Sequence, residues 1–116
     1  MNKRTSPRLI IRAACEVYGV PYDEALGRYV GGCRGVRGGG NLRLSKPCVS
    51  TRAAIAFMLH SRGYVRERIG EAMGISGSGA RYLVRRSREL SESDAGYSTK
   101  LDRASLLADL YDERIS

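Results

Sequence analysis

The sequence is poor in the residues on which metal and redox chemistry depend. Among its 116 residues are one histidine, three cysteines, one phenylalanine and no tryptophan. His60 has no second histidine or nearby cysteine with which to hold a metal. Cys15, Cys33 and Cys48 are odd in number and widely spaced, so they support neither a zinc site nor a disulfide framework. We therefore expect no metal and no cofactor.

Long apolar runs and catalytic motifs are missing as well. The apolar run within the basic stretch "MNKRTSPRLIIRAAC" is broken by Arg8 and Arg12, and nothing approaches the roughly 20 apolar residues of a membrane span. A cytoplasmic protein without a membrane partner is therefore expected. No Gly-x-x-x-x-Gly-Lys-Ser/Thr phosphate loop occurs, and His60, Arg62 and Tyr64 lack the setting of a strand-cleaving tyrosine enzyme. We predict a protein that is not an enzyme and has no small-molecule substrate.

The apolar residues that are present predict small, closely packed helices. Hydrophobic residues make up 42% of the chain, and with so few large aromatic rings the core must consist of Ala, Leu, Ile, Val and Tyr. The length suits one domain with a modest core. The predicted fold class is all-α, a helix-turn-helix bundle of five to six helices.

Helix signals divide the chain into segments. Ser6 before Pro7 is a helix start, Gly19 a helix end, and the polar segment "SESDAGYS" is expected to separate the last two helices. The predicted helices run from Pro7 to Gly19, Pro21 to about Tyr29, Pro47 to Gly63, Val65 to Met73, about Ser78 to Leu90 and Thr99 to Ile115. The residues expected to face the core are Ile10, Ala13, Ala14, Val17, Val49, Ala53, Ala56, Phe57, His60, Val65, Ile69, Ala72, Met73, Ala80, Leu83, Val84, Leu101, Ala104, Ala108 and Tyr111.

Positive charge is concentrated in the middle of the sequence. The net charge is +8, and no Asp or Glu occurs between Ala25 and Arg66. The cations of that stretch are Arg28, Arg34, Arg37, Arg43, Lys46, Arg52, Arg62 and Arg66. Such a surface favours polyanions such as nucleic acid. The Gly/Arg-rich loop at 31–46 belongs to the predicted DNA-binding domain, 1–91, and an acidic helix at 92–116 is expected to pack on it or to dimerise.

The segment "IGEAMGISGSGARYLVRRS", residues 69–87, has the pattern of a helix-turn-helix. Gly70 and Gly74 stand where the helices would touch and where the chain would bend, and Ile75 would fill the gap between them. Ser76 or Ser78 can cap the second helix. The outward positions that remain are Gly77, Ser78, Gly79, Arg81, Tyr82 and Arg85. The simpler alternative is a helical hairpin whose arginines are only solvated.

These parts occur in an order that resembles the C-terminal DNA-binding domain of the bacterial replication initiator DnaA. The similar stretches are "EVYGVPYDEALGRY", a basic loop and "TRAAIAFMLHSRGYVRERIGEAMG", within roughly residues 9–90. The family's Arg-x-x-Ala-x-x-Leu type pattern is matched by Arg52, Ile55 and Met58 or Leu59. Its Ile-Gly-x-x-Phe-Gly pattern is matched by Ile69, Gly70, Met73 and Gly74. The resemblance implies a Trp-repressor-like all-helical fold.

The chain also departs from that family. Where the family has Gly-Gly-Arg-Asp-His-Thr-Thr-Val, this sequence has the shorter "GISGSGA", so the initiator's DNA sequence preference is not implied. Arg81 and Arg85 are expected to contact guanines, and Tyr82 a thymine methyl group or a phosphate. The full predicted DNA-binding set is Arg34, Arg37, Arg43, Lys46, Arg52, Arg62, Ser76, Ser78, Arg81, Tyr82 and Arg85. The loop arginines would lie beside the minor groove or backbone, and Lys46, Arg52 and Arg62 would hold phosphates.

The sequence thus predicts a stand-alone, sequence-specific protein of double-stranded DNA that regulates transcription or replication, of a size found in phages. One alternative is an adaptor or inhibitor that acts through the acidic helix, including a homodimer through residues 99–115. Another is an RNA-binding protein, which the basic loop allows although no known RNA-binding module is recognisable.

Overall fold

The computed structural model describes residues 6–26 and 46–115. Over these ranges the chain contains helices and no strand, so the predicted all-α fold class is confirmed. The helices are α1 (Pro7–Tyr18), α2 (Tyr22–Ala25), α3 (Lys46–Ser61), α4 (Arg66–Met73), α5 (Gly77–Ser93) and α6 (Ala95–Ile115). The predicted glycine-rich loop and the expected end of the second helix near Tyr29 lie outside the described residues.

The first helix has the predicted bounds. Pro7 occupies its first turn, where a missing backbone N–H costs nothing, and Gly19 ends it with φ of 71° and an N–H bonded to the Cys15 carbonyl at 2.9 Å. The expected cap by the Ser6 side chain is wrong. Instead, the Ser6 carbonyl accepts hydrogen bonds from the N–H groups of Leu9 and Ile10.

The central helix α3 is buried on most of its circumference. Ala53, Ala54, Ile55 and Ala56 are all inaccessible, because α1, α2, α4, α5 and α6 all contact this helix. The prediction of a central buried helix is therefore confirmed. The single stripe expected on it was too narrow, since Ala54 and Ile55 are buried outside it. Its end was also wrong, since His60 is exposed and Phe57 only half-buried. Small residues allow this crowding of helix backbones.

The last helix packs along α1 and α5 through the predicted face, with Leu101, Ala104 and Ala108 buried. The expected polar break at residues 91–98 is wrong, since α5 continues to Ser93 and α6 begins at Ala95. Only Asp94 separates them, and its carboxylate Oδ1 accepts the N–H of Tyr97 at 3.1 Å. None of the helices in the described part of the chain combines the length and apolarity that a membrane crossing requires.

A buried polar network fixes the start of α6 against two other helices. The Tyr18 hydroxyl donates to the Tyr97 carbonyl at 3.1 Å, and the hydroxyls of Tyr97 and Ser87 share a hydrogen bond of 2.5 Å. The two tyrosine rings lie 5.8 Å apart between centroids. Buried hydroxyls need such partners, so the network determines how α5 and α6 are oriented at their junction.

Candidate nucleic-acid interface

Helices α4 and α5 are joined by a turn of Gly74, Ile75 and Ser76. Gly74 has φ of 73°, a left-handed conformation that side chains disfavour, and the Ile75 N–H bonds to the Gly70 carbonyl at 2.9 Å. Ile75 is half-buried against the core. The sharp turn predicted from the glycine positions is therefore present.

Gly70 allows the close contact between this turn and α4. A Cβ at position 70 would lie 2.5 Å from the carbonyl oxygen of Ile75, so any side chain there would push the turn away. Of the two serines expected to cap α5, Ser76 does so, since its Oγ accepts the Gly79 N–H at 3.0 Å. Ser78 is exposed on the first turn. The start of α5 is thus fixed relative to α4.

The outward side of α5 carries the predicted contact residues. Ala80, Leu83, Val84 and Ser87 are buried, as a helix with one core face requires. Arg81, Tyr82 and Arg85 are exposed on the other side, and the Tyr82 side chain is 57% exposed. The predicted inward positions on this helix are confirmed, and the predicted contact residues are accessible.

Beside this face lies a groove of about 890 Å³ between α5 and the junction of α3 with α4. We call it the arginine groove. Its lining residues are His60, Gly63, Tyr64, Val65, Arg66, Glu67, Ile69, Arg81, Val84, Arg85 and Arg88. Within residues 6–26 and 46–115, Arg81, Arg85 and Arg88 make no ion pair or hydrogen bond. Their charges are therefore available to an anionic ligand.

Among the residues that the structure describes, Glu67 is the one carboxylate that lines the arginine groove. It lies 3.3 Å from Arg66, measured between Oε2 and Nε. A hydrogen bond from its own backbone and a second from Arg66 hold the pKa of Glu67 below its usual value, so the side chain stays ionised at neutral pH. The pair leaves the groove with an excess of positive charge.

Two of the predicted phosphate-binding arginines have intramolecular partners elsewhere. Arg62, whose side chain is 17% exposed, bonds to Asp109 Oδ1 at 2.8 Å and to the carbonyl and Oγ of Ser105 at 3.2 and 3.0 Å. Arg52 donates to the Ala25 carbonyl at 3.2 Å. These contacts connect α6 to the end of α3 and α2 to the middle of α3, so we leave both arginines out of the interface.

The remaining predicted cations fall beyond what the structure describes. Arg34, Arg37 and Arg43 lie outside the described residues, and Lys46 is placed only as the first residue of α3. The structure instead brings two residues to the interface that sequence reasoning missed, Arg66 and Arg88. Arg88 could have been found, because it follows Arg85 by three positions on the same side of a helix. Arg66 could not, because its place depends on the angle between α4 and α5.

The cysteines of the described chain are buried rather than arranged as a site. Cys15 and Cys48 are both reduced thiols buried in the core, and burial together with the proximity of Cys48 raises the pKa of Cys15 to about 11. A thiol with a raised pKa is a poor nucleophile. Among the described residues, no three His, Cys, Asp or Glu side chains come close enough together to hold a metal ion.

Comparison with known proteins does not assign the chain to a family. No protein-family model matches it, and neither does any curated protein. The resemblance to the C-terminal domain of DnaA therefore stays a prediction from the motifs.

Proposed function

We propose that this chain binds double-stranded DNA with the exposed side of α5 and the arginine groove beside it. The observation that supports this most directly is the position of Arg81, Arg85 and Arg88. None of the three has a partner among the residues that the structure describes, all three line one groove, and Arg66 lines the same groove from α4. Helical spacing places Arg81, Arg85 and Arg88 on one stripe of α5. Arg66 adds a cation from a second helix, which arginines that are only solvated would not require.

Insertion of α5 into the major groove follows from its shape. An α-helix fits the width of that groove, and the first turns of a recognition helix approach the base edges. Here the first turn carries Gly77, Ser78 and Gly79, whose small side chains allow a close approach to the duplex. Arg81 and Arg85 follow at positions from which a guanidinium group can donate two hydrogen bonds to a guanine, and each such contact contributes about 1–3 kcal/mol of discrimination.

The arginine groove would then hold the sugar-phosphate backbone of one strand. Arg66 and Arg88 line it beside the base-contacting arginines, and exposed His60 lies at the end of α3 on the same groove. Phosphate contacts of this kind fix the register of a protein on the duplex and release bound counterions. The two sets of residues therefore divide the work between base recognition and positioning.

The biological role we propose is regulation of transcription or replication by occupancy of a DNA site, in the manner that the DnaA-like motifs suggest. A protein that binds a duplex without cutting or unwinding it acts by blocking other proteins or by recruiting them. The departures in "GISGSGA" mean that its preferred site differs from that of the initiator family, and selection from random duplex DNA would identify it.

The test is binding of the full chain to labelled duplexes across a salt series, read by fluorescence anisotropy. We expect Arg85→Ala to weaken binding to the selected duplex by about tenfold or more. Arg8→Ala is the matched control, since Arg8 is also exposed and lies on α1, away from the arginine groove. Equal losses for both variants would contradict the proposal.

An RNA-binding function is separated by competition in the same assay. Unlabelled duplex DNA should displace the labelled duplex, whereas single-stranded RNA of equal length should not do so at similar concentrations. Stronger displacement by RNA would reject the duplex proposal. It would also redirect attention to the basic segment at 31–46.

A further inference from the structure

The outer side of α6 exposes two large apolar side chains that the domain does not use. Leu106 is 65% exposed and Leu110 is 53% exposed, whereas Leu101, Ala104 and Ala108 on the same helix are buried. At 100° per residue the exposed leucines lie on the opposite side of the helix from the core face. They therefore form a small apolar patch that faces solvent.

This patch belongs to a longer ridge with a regular spacing. Thr99, Arg103, Leu106, Leu110 and Glu113 follow one another at intervals of four and three residues, and all are exposed. That alternation keeps side chains on one line along a helix and is the spacing with which two helices pair. We call these residues the α6 ridge. Leu106 and Leu110 lie in the middle of this ridge, with Arg103 on the N-terminal side and Glu113 on the C-terminal side.

We propose that the α6 ridge is a self-association surface on which two copies of this chain pair with antiparallel α6 helices. In an antiparallel pair, the residues of the α6 ridge face residues of matching chemistry in the second copy. When Leu106 of one copy faces Leu110 of the other, Arg103 of each copy faces Glu113 of the other. A twofold axis near position 108 therefore gives two apolar contacts and two ion pairs.

The charges favour the antiparallel arrangement over the parallel one. In a parallel pair Arg103 would face Arg103 and Glu113 would face Glu113, which is unfavourable twice. Asp109, which flanks the axis, is already neutralised by Arg62 at 2.8 Å within its own chain. The carboxylate closest to its symmetry mate thus brings little repulsion to the pair.

The same pattern argues for a second copy over an unrelated basic partner. A surface built for a basic protein would carry acidic residues along its length, whereas this ridge has Arg103 at one end of the leucine pair and Glu113 at the other. With only two leucines per copy the association should be weak, at the small end of protein interfaces.

The test is analytical ultracentrifugation of the full chain without DNA, over protein concentrations up to about 1 mM. We expect a reversible equilibrium between monomer and dimer. Leu106→Gln/Leu110→Gln should leave the chain monomeric, whereas Tyr82→Gln, which removes an equally exposed apolar side chain from α5, should leave the equilibrium unchanged. Circular dichroism of each variant verifies that the helices are intact.

Charge exchange tests the orientation. Arg103→Glu should raise the dimer dissociation constant about fivefold to thirtyfold, because both ion pairs become repulsive, and Arg103→Glu/Glu113→Arg should restore it. A wild-type chain that stays monomeric, a dimer that survives the loss of both leucines, or a double exchange that fails to restore pairing would each overturn the proposal. Whether duplexes bind is measured separately, so either proposal can fail alone.

Discussion

In the proposed DNA complex, Arg81 and Arg85 are the arginine-groove residues that we expect to distinguish one base pair from another. Arg81 lies in the second turn of α5, close to the capped turn that fixes the helix start, and Arg85 lies at the middle of the helix, whereas Arg88 lies further along it. In a helix that enters the major groove with its first turns, the early positions approach base edges and the later ones approach phosphates. The roles of these arginines should therefore differ although their charges are identical.

Arg81→Ala should reduce the preference for the selected duplex over a scrambled one. The expected loss is about 1–3 kcal/mol on the selected duplex and much less on the scrambled duplex, because a base contact and not only a charge is removed. Arg88→Ala should weaken both duplexes alike and reduce the salt slope by about one. Anisotropy titrations with both duplexes measure this, and equal losses on both for Arg81→Ala would count against base recognition.

Glu67→Gln should strengthen binding to any duplex. The substitution removes the one carboxylate that lines the arginine groove and frees Arg66, which it holds at 3.3 Å. Since the lowered pKa keeps Glu67 charged, the gain should be present throughout the neutral range. The salt dependence should steepen by up to about one phosphate contact. Glu71→Gln, on the same helix but outside this groove, is the control, and an equal gain there would refute the role of Glu67.

At the scale of single helices and turns, Gly70 and Gly77 should respond in opposite ways to alanine. At Gly70 the new Cβ would lie 2.5 Å from the Ile75 carbonyl oxygen. Because that oxygen belongs to the backbone of the turn, the clash can be relieved only if α4 and α5 move apart. We expect Gly70→Ala to lower the free energy of unfolding by about 1–3 kcal/mol. At Gly77 the nearest atoms are 3.7 Å away, so Gly77→Ala should be neutral or stabilise by up to about 1 kcal/mol. Chemical denaturation followed by circular dichroism compares them, and equal effects would show that the turn is not tightly packed.

The elements that sequence reasoning located correctly are those with local signals. Pro7 and Gly19 bound α1, Gly74 ends α4 and Ser76 begins α5, because each of these residues acts on backbone groups within a few positions. The break expected at residues 91–98 failed for the opposite reason. Tyr97 is buried through contacts with Tyr18 and Ser87, which are remote in sequence, and no local pattern reveals them. The prediction that Val65 faces the core is also wrong, since Val65 precedes α4 and is 58% exposed.

At the scale of the whole molecule, the buried ionisable groups predict sensitivity to alkali. Burial raises the pKa of Cys15 from 9.0 to about 11 and that of Tyr97 from 10.0 to about 12. Well below pH 9.0 both groups are protonated in the folded and the unfolded chain, so they give the free energy of unfolding no pH dependence there. Above it the unfolded chain releases protons that the folded chain retains, so the free energy of unfolding falls as the pH rises towards about 12.

Denaturation curves across that alkaline range measure the loss. Cys15→Ala/Tyr97→Phe should be less stable than the wild type at neutral pH, because packing and a hydrogen bond are lost, but its stability should decline less steeply with pH. Two curves with the same slope would show that neither group is responsible. Tyr18, whose pKa burial also raises, contributes in the same direction in both proteins.

Only one residue, Asp94, separates α5 from α6, so the orientations of the two helices are coupled. Asp94 follows the last turn of α5, and its carboxylate bonds to the first turn of α6. No loop therefore separates the helix that carries Arg81 from the helix that carries Leu106. A displacement of either helix would therefore be transmitted to the other through Asp94 and through the hydrogen bond between the hydroxyls of Ser87 and Tyr97. If both proposals hold, the orientation of α5 relative to α6 would determine how far apart the two α5 helices of a dimer lie. The dimer would then bind only DNA half-sites at a matching distance.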